Sequence, residues 1–108
     1  MEILYYLTTT GKNVVASWLE SLGDDRAEAR IAARINRLTV GNFGDCKPLK
    51  NGVWELRIDV GAGYRLYYAI VGGNRVLLLC GGDKRRQSAD IAQAIECLRD
   101  YKKRSGKR

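Results

Sequence analysis

The stretch GYRLYY at residues 63–68, followed one segment later by LCGGDKR at residues 79–85, decides the fold of this chain. Tyrosine and other large side chains favour strands, and a Gly-Gly-Asn turn between the stretches is typical of a hairpin. We expect two adjacent antiparallel strands that place Arg65 near the strand end carrying Lys84 and Arg85. Cationic groups gathered there bind phosphate well, so the pairing predicts a compact cationic site on a sheet.

Three strand-like runs, at residues 53–60, 64–71 and 75–80, surround this stretch and are separated by short glycine-containing turns. The pattern predicts an antiparallel meander. In the first run the charged residues Glu55, Arg57 and Asp59 alternate with apolar residues, so one face of that strand is charged. That face is available for a site.

Before the meander, the chain shows a strand at residues 2–7, an amphipathic helix at 12–22 and a second amphipathic helix that starts near residue 24. Residues 41–48 contain two glycines and a proline and predict a loop. After the meander, apolar residues at helical spacing predict a closing helix. The fold class is α+β, with the order β-α-α-β-β-β-α: a small twisted, mainly antiparallel sheet with an N-terminal helical hairpin and a C-terminal helix.

The length of 108 residues and the 45% hydrophobic content predict one domain, at residues 1–103, followed by a basic, frayed tail at 104–108. Lys and Arg number 19 against 12 Asp and Glu, which gives a formal charge of +7. A small basic protein generally binds a polyanion, and nucleic acid is the first candidate. The alternative is that the charge serves solubility or an acidic protein partner.

The cysteine pattern argues against a metal centre. Cys46, Cys80 and Cys97 show no CxxC spacing, and the chain has no His, so we expect no metal, no cofactor and no disulfide. We find no secretory leader pattern and no apolar run of about 18 residues that would span a bilayer. The sequence therefore predicts a cytoplasmic protein with reduced thiols and no membrane partner.

Four short motifs in a fixed order carry a resemblance to a known family: PLK at residues 48–50, GVWELR at 52–57, GYRLYY at 63–68 and GDKR at 82–85. With the element order, they make nearly all of residues 1–103 similar to the RelE/ParE toxin superfamily. The closest likeness is to the HigB-like branch of addiction-module killer proteins, which are toxins of type II toxin-antitoxin modules.

The resemblance implies an endoribonuclease that needs no metal, cleaves messenger RNA on the ribosome and thereby inhibits translation. It also implies a cognate antitoxin, a small helix-turn-helix protein from the same operon. By the family's motifs, Arg65 and Arg85 are the positions that bind the scissile phosphate. The residues expected in the site are as follows: catalytic Arg65, Arg85, Lys84 and Lys50; RNA-binding Lys47, Arg57 and Arg86; and Glu55 as a base or an ion-pair partner.

Related toxins place a Tyr or a His near the start of the last helix, and this chain has neither there, so proton transfer has no assigned residue. Lys50 and Lys84 are favoured over Glu55 and Asp83, provided that their surroundings lower a lysine pKa. Arg65 has an ordinary alternative as a cross-strand ion pair, and residues 84–86 as a solvated turn. Two other functions stay open: a ParE-like toxin that poisons gyrase without nuclease activity, and an inactive remnant that binds nucleic acid or antitoxin.

Overall fold

The chain folds as a five-stranded sheet with helices on both faces, in a computed structural model that describes residues 1–106. The elements, in chain order, are β1 (Glu2–Tyr5), α1 (Val14–Ser21), α2 (Asp25–Leu38), β2 (Cys46–Pro48), β3 (Trp54–Ile58), β4 (Tyr64–Val71), β5 (Arg75–Asp83), a 3-10 turn (Lys84–Arg86) and α3 (Gln87–Ser105). The α+β class and the closing helix are confirmed.

The strands lie in the order β1-β5-β4-β3-β2. The predicted meander is confirmed, because β3 pairs antiparallel with β4 and β4 pairs antiparallel with β5. Strand β1 lies at one edge, parallel to β5. The sheet is therefore mainly antiparallel, with its longest strands, β4 and β5, at the centre.

The predicted loop at residues 41–48 was wrong at its end, because residues 46–48 form the edge strand β2 against β3. The observed order is thus β-α-α-β-β-β-β-α. Arg34 of α2 explains the difference: its guanidinium donates hydrogen bonds to the carbonyls of Arg57 (2.6 Å), Phe43 (3.1 Å) and Asp45 (3.3 Å). One side chain from α2 thereby holds the segment before β2 beside β3. The local sequence around residues 46–48 does not predict this contact, because Arg34 is distant in the chain.

Side-chain caps set the starts of α1 and α2. Asn13 Oδ1 accepts from the amide of Ala16 at 3.0 Å, and Asp24 Oδ1 accepts from the amide of Ala27 at 3.1 Å. Each cap satisfies a backbone donor that the first helical turn leaves without a partner. Both helices then cover the same face of the sheet.

Two apolar layers form because strand side chains alternate between faces. The layer under α1 and α2 includes Val15, Ile31, Leu38, Leu56, Ile58, Leu66, Tyr68, Val76 and Leu78. The layer under α3 includes Tyr6, Val53, Tyr67, Ala69, Leu77, Leu79, Cys80, Ala94, Cys97 and Leu98. Glu55 and Tyr67, which are direct partners across β3 and β4, belong to the α3 face.

The C-terminal helix continues past the boundary predicted at residue 103. It runs to Ser105, and Arg104 Nη2 donates to the Leu7 carbonyl and to Asp100 Oδ2, both at 2.6 Å. The predicted fraying was therefore wrong for residues 104 and 105, because these bonds tie the last turn to the chain after β1. The last two residues of that tail, 107 and 108, lie outside the described residues. Across residues 1–106, no helix combines the length and the hydropathy needed to cross a membrane.

Candidate functional site

The candidate site lies on the α3 face of the sheet, at the end where α3 begins. The strand register forms two rows of neighbouring side chains there. In the first row Lys47 of β2 is opposite Glu55, and Glu55 is opposite Tyr67. In the second row Arg57 is opposite Arg65, and Arg65 is opposite Gly82.

Glu55 is the centre of the site and is fully buried. Its Oε2 accepts hydrogen bonds from Gln87 Nε2 at 2.6 Å and from the Tyr67 hydroxyl at 3.3 Å. Its two oxygens also form ion pairs: Oε1 lies 3.5 Å from Arg57 Nε, and Oε2 lies 3.8 Å from Arg65 Nε. One carboxylate thus contacts residues from β3, β4 and the first turn of α3.

Arg57 and Arg65 are like charges directly opposite each other on neighbouring strands, an arrangement that is unfavourable without compensation. Their side chains are 36% and 14% exposed. Within residues 1–106 the Arg65 guanidinium makes one hydrogen bond, from Nη1 to the Tyr64 carbonyl at 3.2 Å, and its Nε makes none. A guanidinium has five donors, of which Arg65 uses one in this hydrogen bond, and its Nε is buried beside Glu55.

Asp90 of α3 lies directly over Gly82. A methyl group built on Gly82 would come within 1.8 Å of Asp90 Oδ2, so only a residue without a side chain allows the carboxylate to approach the sheet here. Asp90 is buried, and its Oδ2 finds no hydrogen-bond partner among the described residues. Burial raises the pKa of Asp90, and the neighbouring charge of Arg86 opposes that rise.

Tyr67 completes the floor of the site as a neutral hydrogen-bond donor. Burial is the main cause of its raised pKa, and the adjacent Glu55 carboxylate adds to the rise. At neutral pH the phenol therefore keeps its proton and donates a hydrogen bond to Glu55. Sequence reasoning missed Tyr67, Gln87 and Asp90 as parts of the site. The one available signal was the pair of glycines inside β5, which indicates a close approach by another part of the chain.

The two arginines expected to hold one phosphate are placed differently. Arg85 is 85% exposed at its side chain, and its Nη2 donates to Asp83 Oδ2 at 3.1 Å. Asp83 is opposite Tyr64, whose ring packs edge-on against Trp18 on the α1 side of the sheet. Arg65 lies on the α3 face, where it pairs with Glu55, so each of the two guanidinium groups has a carboxylate partner of its own.

Lys84 contacts the chain just before Arg65. Its backbone amide donates to the Gly63 carbonyl at 3.2 Å, and its aliphatic chain covers Gly63, where an added methyl would lie 3.1 Å from Cε. Gly63 lies immediately before β4 and two residues before Arg65, so Lys84 covers the chain where that strand begins. Lys84 thus lies at the edge of the candidate site.

The remaining predicted residues surround the start of α3. Lys50 is exposed on the rim of an open cleft of about 300 Å³ that is formed with Ser88, Ile91, Ala92 and Ile95. Lys47 is exposed beside Glu55 on the edge strand, and Arg86 is exposed next to Gln87. The structure thus brings Arg57, Arg65, Glu55 and Lys47 together, with Lys84, Lys50 and Arg86 around them.

A small α+β protein with a cationic patch around one buried carboxylate is the class that fold and site define. The chain belongs to the family of phage-derived Gp49-like proteins (DUF891), whose family model matches residues 17–102. This family is related to the RelE-like toxins of toxin-antitoxin modules. The predicted superfamily resemblance is confirmed at that level. An uncharacterized protein of Haemophilus influenzae Rd is 56% identical over 78 residues, which cover 72% of this chain and 79% of that protein.

Proposed function

We propose that this protein is the toxin of a type II toxin-antitoxin module and that it cleaves messenger RNA on the ribosome, as the HigB-like resemblance implies. The observation that carries the proposal is the pair of guanidinium groups, Arg57 and Arg65, on one sheet face beside Lys47. Arginine stays protonated and offers a planar fork of donors that fits phosphate oxygens. Arg57 takes the place that sequence reasoning gave to Arg85 as the second phosphate-binding group.

The proposed reaction needs three chemical functions. A base takes the proton of the ribose 2′-hydroxyl, the 2′-oxygen forms a bond to phosphorus, and the bond from phosphorus to the 5′-oxygen breaks as an acid protonates that oxygen. The products are a 2′,3′-cyclic phosphate and a 5′-hydroxyl end. Negative charge builds on the phosphate oxygens in the transition state, and donors fixed beforehand stabilise it without reorganisation.

Arg57 and Arg65 supply the charge stabilisation in this scheme. We assign proton transfer to Lys84 and Lys50, because Lys84 covers Gly63, two residues before Arg65, and Lys50 lies near the start of α3. Neither lysine is buried, so alignment of the RNA by the ribosome supplies much of the rate, as positioning does in other phosphoryl transfers. The remaining cation, Arg86, binds RNA at the rim.

An antitoxin partner follows from the same proposal, since a toxin of this kind is held inactive until its antitoxin is lost. The chain carries a formal charge of +7, so an acidic antitoxin segment is the complementary partner. We propose that the partner gene encodes a small helix-turn-helix protein in the same operon.

Induction of the protein followed by mapping of the 5′ ends of cellular messages tests the proposal. We expect new ends within reading frames, and we expect them to disappear with Arg65→Ala and to diminish with Arg57→Ala. The matched control is Arg26→Ala, which removes an exposed guanidinium from α2 and leaves the new ends in place. Intact messages would overturn the proposal: with DNA damage they would indicate a gyrase poison, and with normal growth an inactive remnant.

A further inference from the structure

Glu55 occupies an unusual place for a carboxylate, because it is buried under a site whose other charges are cationic. Its side chain is 1% exposed, and it lies between two guanidinium groups that the strand register sets directly opposite each other. Without an anion between them, Arg57 and Arg65 would repel and turn apart into solvent. The carboxylate therefore stabilises the two neighbouring guanidinium groups, and this role does not require contact with RNA.

We propose that Glu55 is a positioning residue that holds Arg57 and Arg65 as one two-guanidinium phosphate site. This inference rests on the function proposed above. Each Nε faces one carboxylate oxygen, at 3.5 Å for Arg57 and 3.8 Å for Arg65. These contacts use the Nε of each guanidinium, so Glu55 does not occupy the Nη groups, of which Arg65 Nη1 donates to the Tyr64 carbonyl.

The carboxylate is itself held by neutral donors. Gln87 Nε2 lies 2.6 Å from Oε2, and the Tyr67 hydroxyl lies 3.3 Å from the same oxygen. Gln87 belongs to the first turn of α3, and Tyr67 belongs to β4, so the position of Glu55 is fixed from two elements. The start of α3 thereby sets the spacing of the two arginines.

Glu55 is not the base in this scheme. A general base has to come within hydrogen-bonding distance of the ribose hydroxyl, about 2.6–3.2 Å, and this carboxylate lies beneath Tyr67, Gln87 and the two arginines. Its Oε2 accepts hydrogen bonds from Gln87 and Tyr67, and its Oε1, which is buried without a hydrogen-bond partner among the described residues, lies 3.5 Å from Arg57 Nε. Removal of the Glu55 charge should weaken RNA binding if Glu55 is a positioning residue, and should lower the cleavage rate at saturation if Glu55 is the base. The two roles can therefore be told apart by experiment.

The test is binding of a short 2′-O-methyl RNA oligonucleotide, which cannot be cleaved, measured by fluorescence anisotropy at one fixed salt concentration. Glu55→Gln keeps the size of the side chain and removes its charge. By net charge alone, losing an anion tightens the binding of a polyanion. If Glu55 positions the arginines, Glu55→Gln instead weakens binding about tenfold, a loss of about 1.4 kcal/mol.

Asp59→Asn is the matched control, because Asp59 is exposed just after β3 and its loss changes the net charge equally. We expect it to leave RNA affinity unchanged or slightly higher. Gln87→Ala provides a second route: it loosens Glu55 without changing any charge and is expected to weaken binding in the same direction by a smaller factor. If Glu55→Gln does not fold, Gln87→Ala decides the question alone.

Cleavage of message on programmed ribosomes separates the two roles further. If Glu55 is a positioning residue, a saturating concentration of the Glu55→Gln variant restores most of the cleavage rate, and the pH profile of that rate keeps its shape. For a base, the saturating rate falls by about 10²-fold or more and the acidic limb of the profile disappears. Equal or tighter RNA binding by Glu55→Gln would overturn the inference. Failure of the wild-type protein both to bind the oligonucleotide and to cleave message would instead overturn the proposed function.

Discussion

Substitution of Gly82 by alanine tests the packing that brings α3 onto the site. The methyl group would lie 1.8 Å from Asp90 Oδ2 and 2.7 Å from Asp90 Cγ, far inside van der Waals contact. Gly82 does not have a positive φ, so the backbone accepts alanine and the clash with Asp90 is the sole obstacle. Asp90 or the first turns of α3 must therefore move.

The expected cost is that of overpacking a well-packed contact, about 1–3 kcal/mol in the free energy of unfolding. For a chain of this size each kcal/mol lowers Tm by about 4–8 °C, so Gly82→Ala should lower it by roughly 5–20 °C. The displaced Asp90 lies three residues from Gln87, which holds Glu55, so RNA binding should weaken as well.

A double-mutant cycle with Asp90→Ala, followed by urea unfolding, isolates the contact. Asp90→Ala removes the clashing atoms, so Gly82→Ala should cost at least about 1 kcal/mol less in that background than in the wild type, and this difference is the coupling energy. Gly81→Ala is the control, because its methyl would lie 2.4 Å from the Trp18 ring on the opposite face. Asp90→Ala should not rescue that variant.

Two results would refute this reasoning. One is additivity of Gly82→Ala and Asp90→Ala within about 0.5 kcal/mol, which would mean that the two residues do not touch in solution. The other is rescue of Gly81→Ala by Asp90→Ala, which would mean that the effect of Asp90 is general and not a local contact.

Three further variants probe other contacts. Tyr6→Phe removes the 2.6 Å hydrogen bond to Asp100 and should lower the free energy of unfolding at pH 7. Because this hydrogen bond is the main cause of the lowered pKa of Asp100, the loss should shrink as pH falls below the ordinary Asp value of 3.8, and a loss that stays constant with pH in urea unfolding would contradict it. Asp90→Asn should raise the free energy of unfolding at neutral pH and leave it equal to that of the wild type at low pH. The reason is that the pKa of Asp90 is raised in the folded protein, so the fold favours the protonated carboxyl over the carboxylate. Urea unfolding at two pH values tests this, and an equal difference at both would contradict it. Arg34→Ala should cost about 2–3 kcal/mol and speed hydrogen exchange of the Arg57 amide, which donates to the Asp45 carbonyl, and unchanged exchange would exclude Arg34 as the anchor of β2.

Local chemistry in the sequence determined most of the fold. Glycine turns and runs of strand-forming residues specified the meander, and alternation along residues 53–60 specified its charged face. Apolar residues at helical spacing specified the two N-terminal helices, and Asp24 marked the start of the second. These signals are readable because each involves residues close together in the chain.

The tertiary structure alone decided which charges meet. Whether Arg65 pairs with Glu55, and whether Arg85 turns to Asp83, depends on strand register and on which face each side chain takes. The approach of Asp90 to the sheet likewise depends on how α3 docks. Ion pairs between distant segments follow from packing energies summed over the whole chain, and no short stretch of sequence contains that sum.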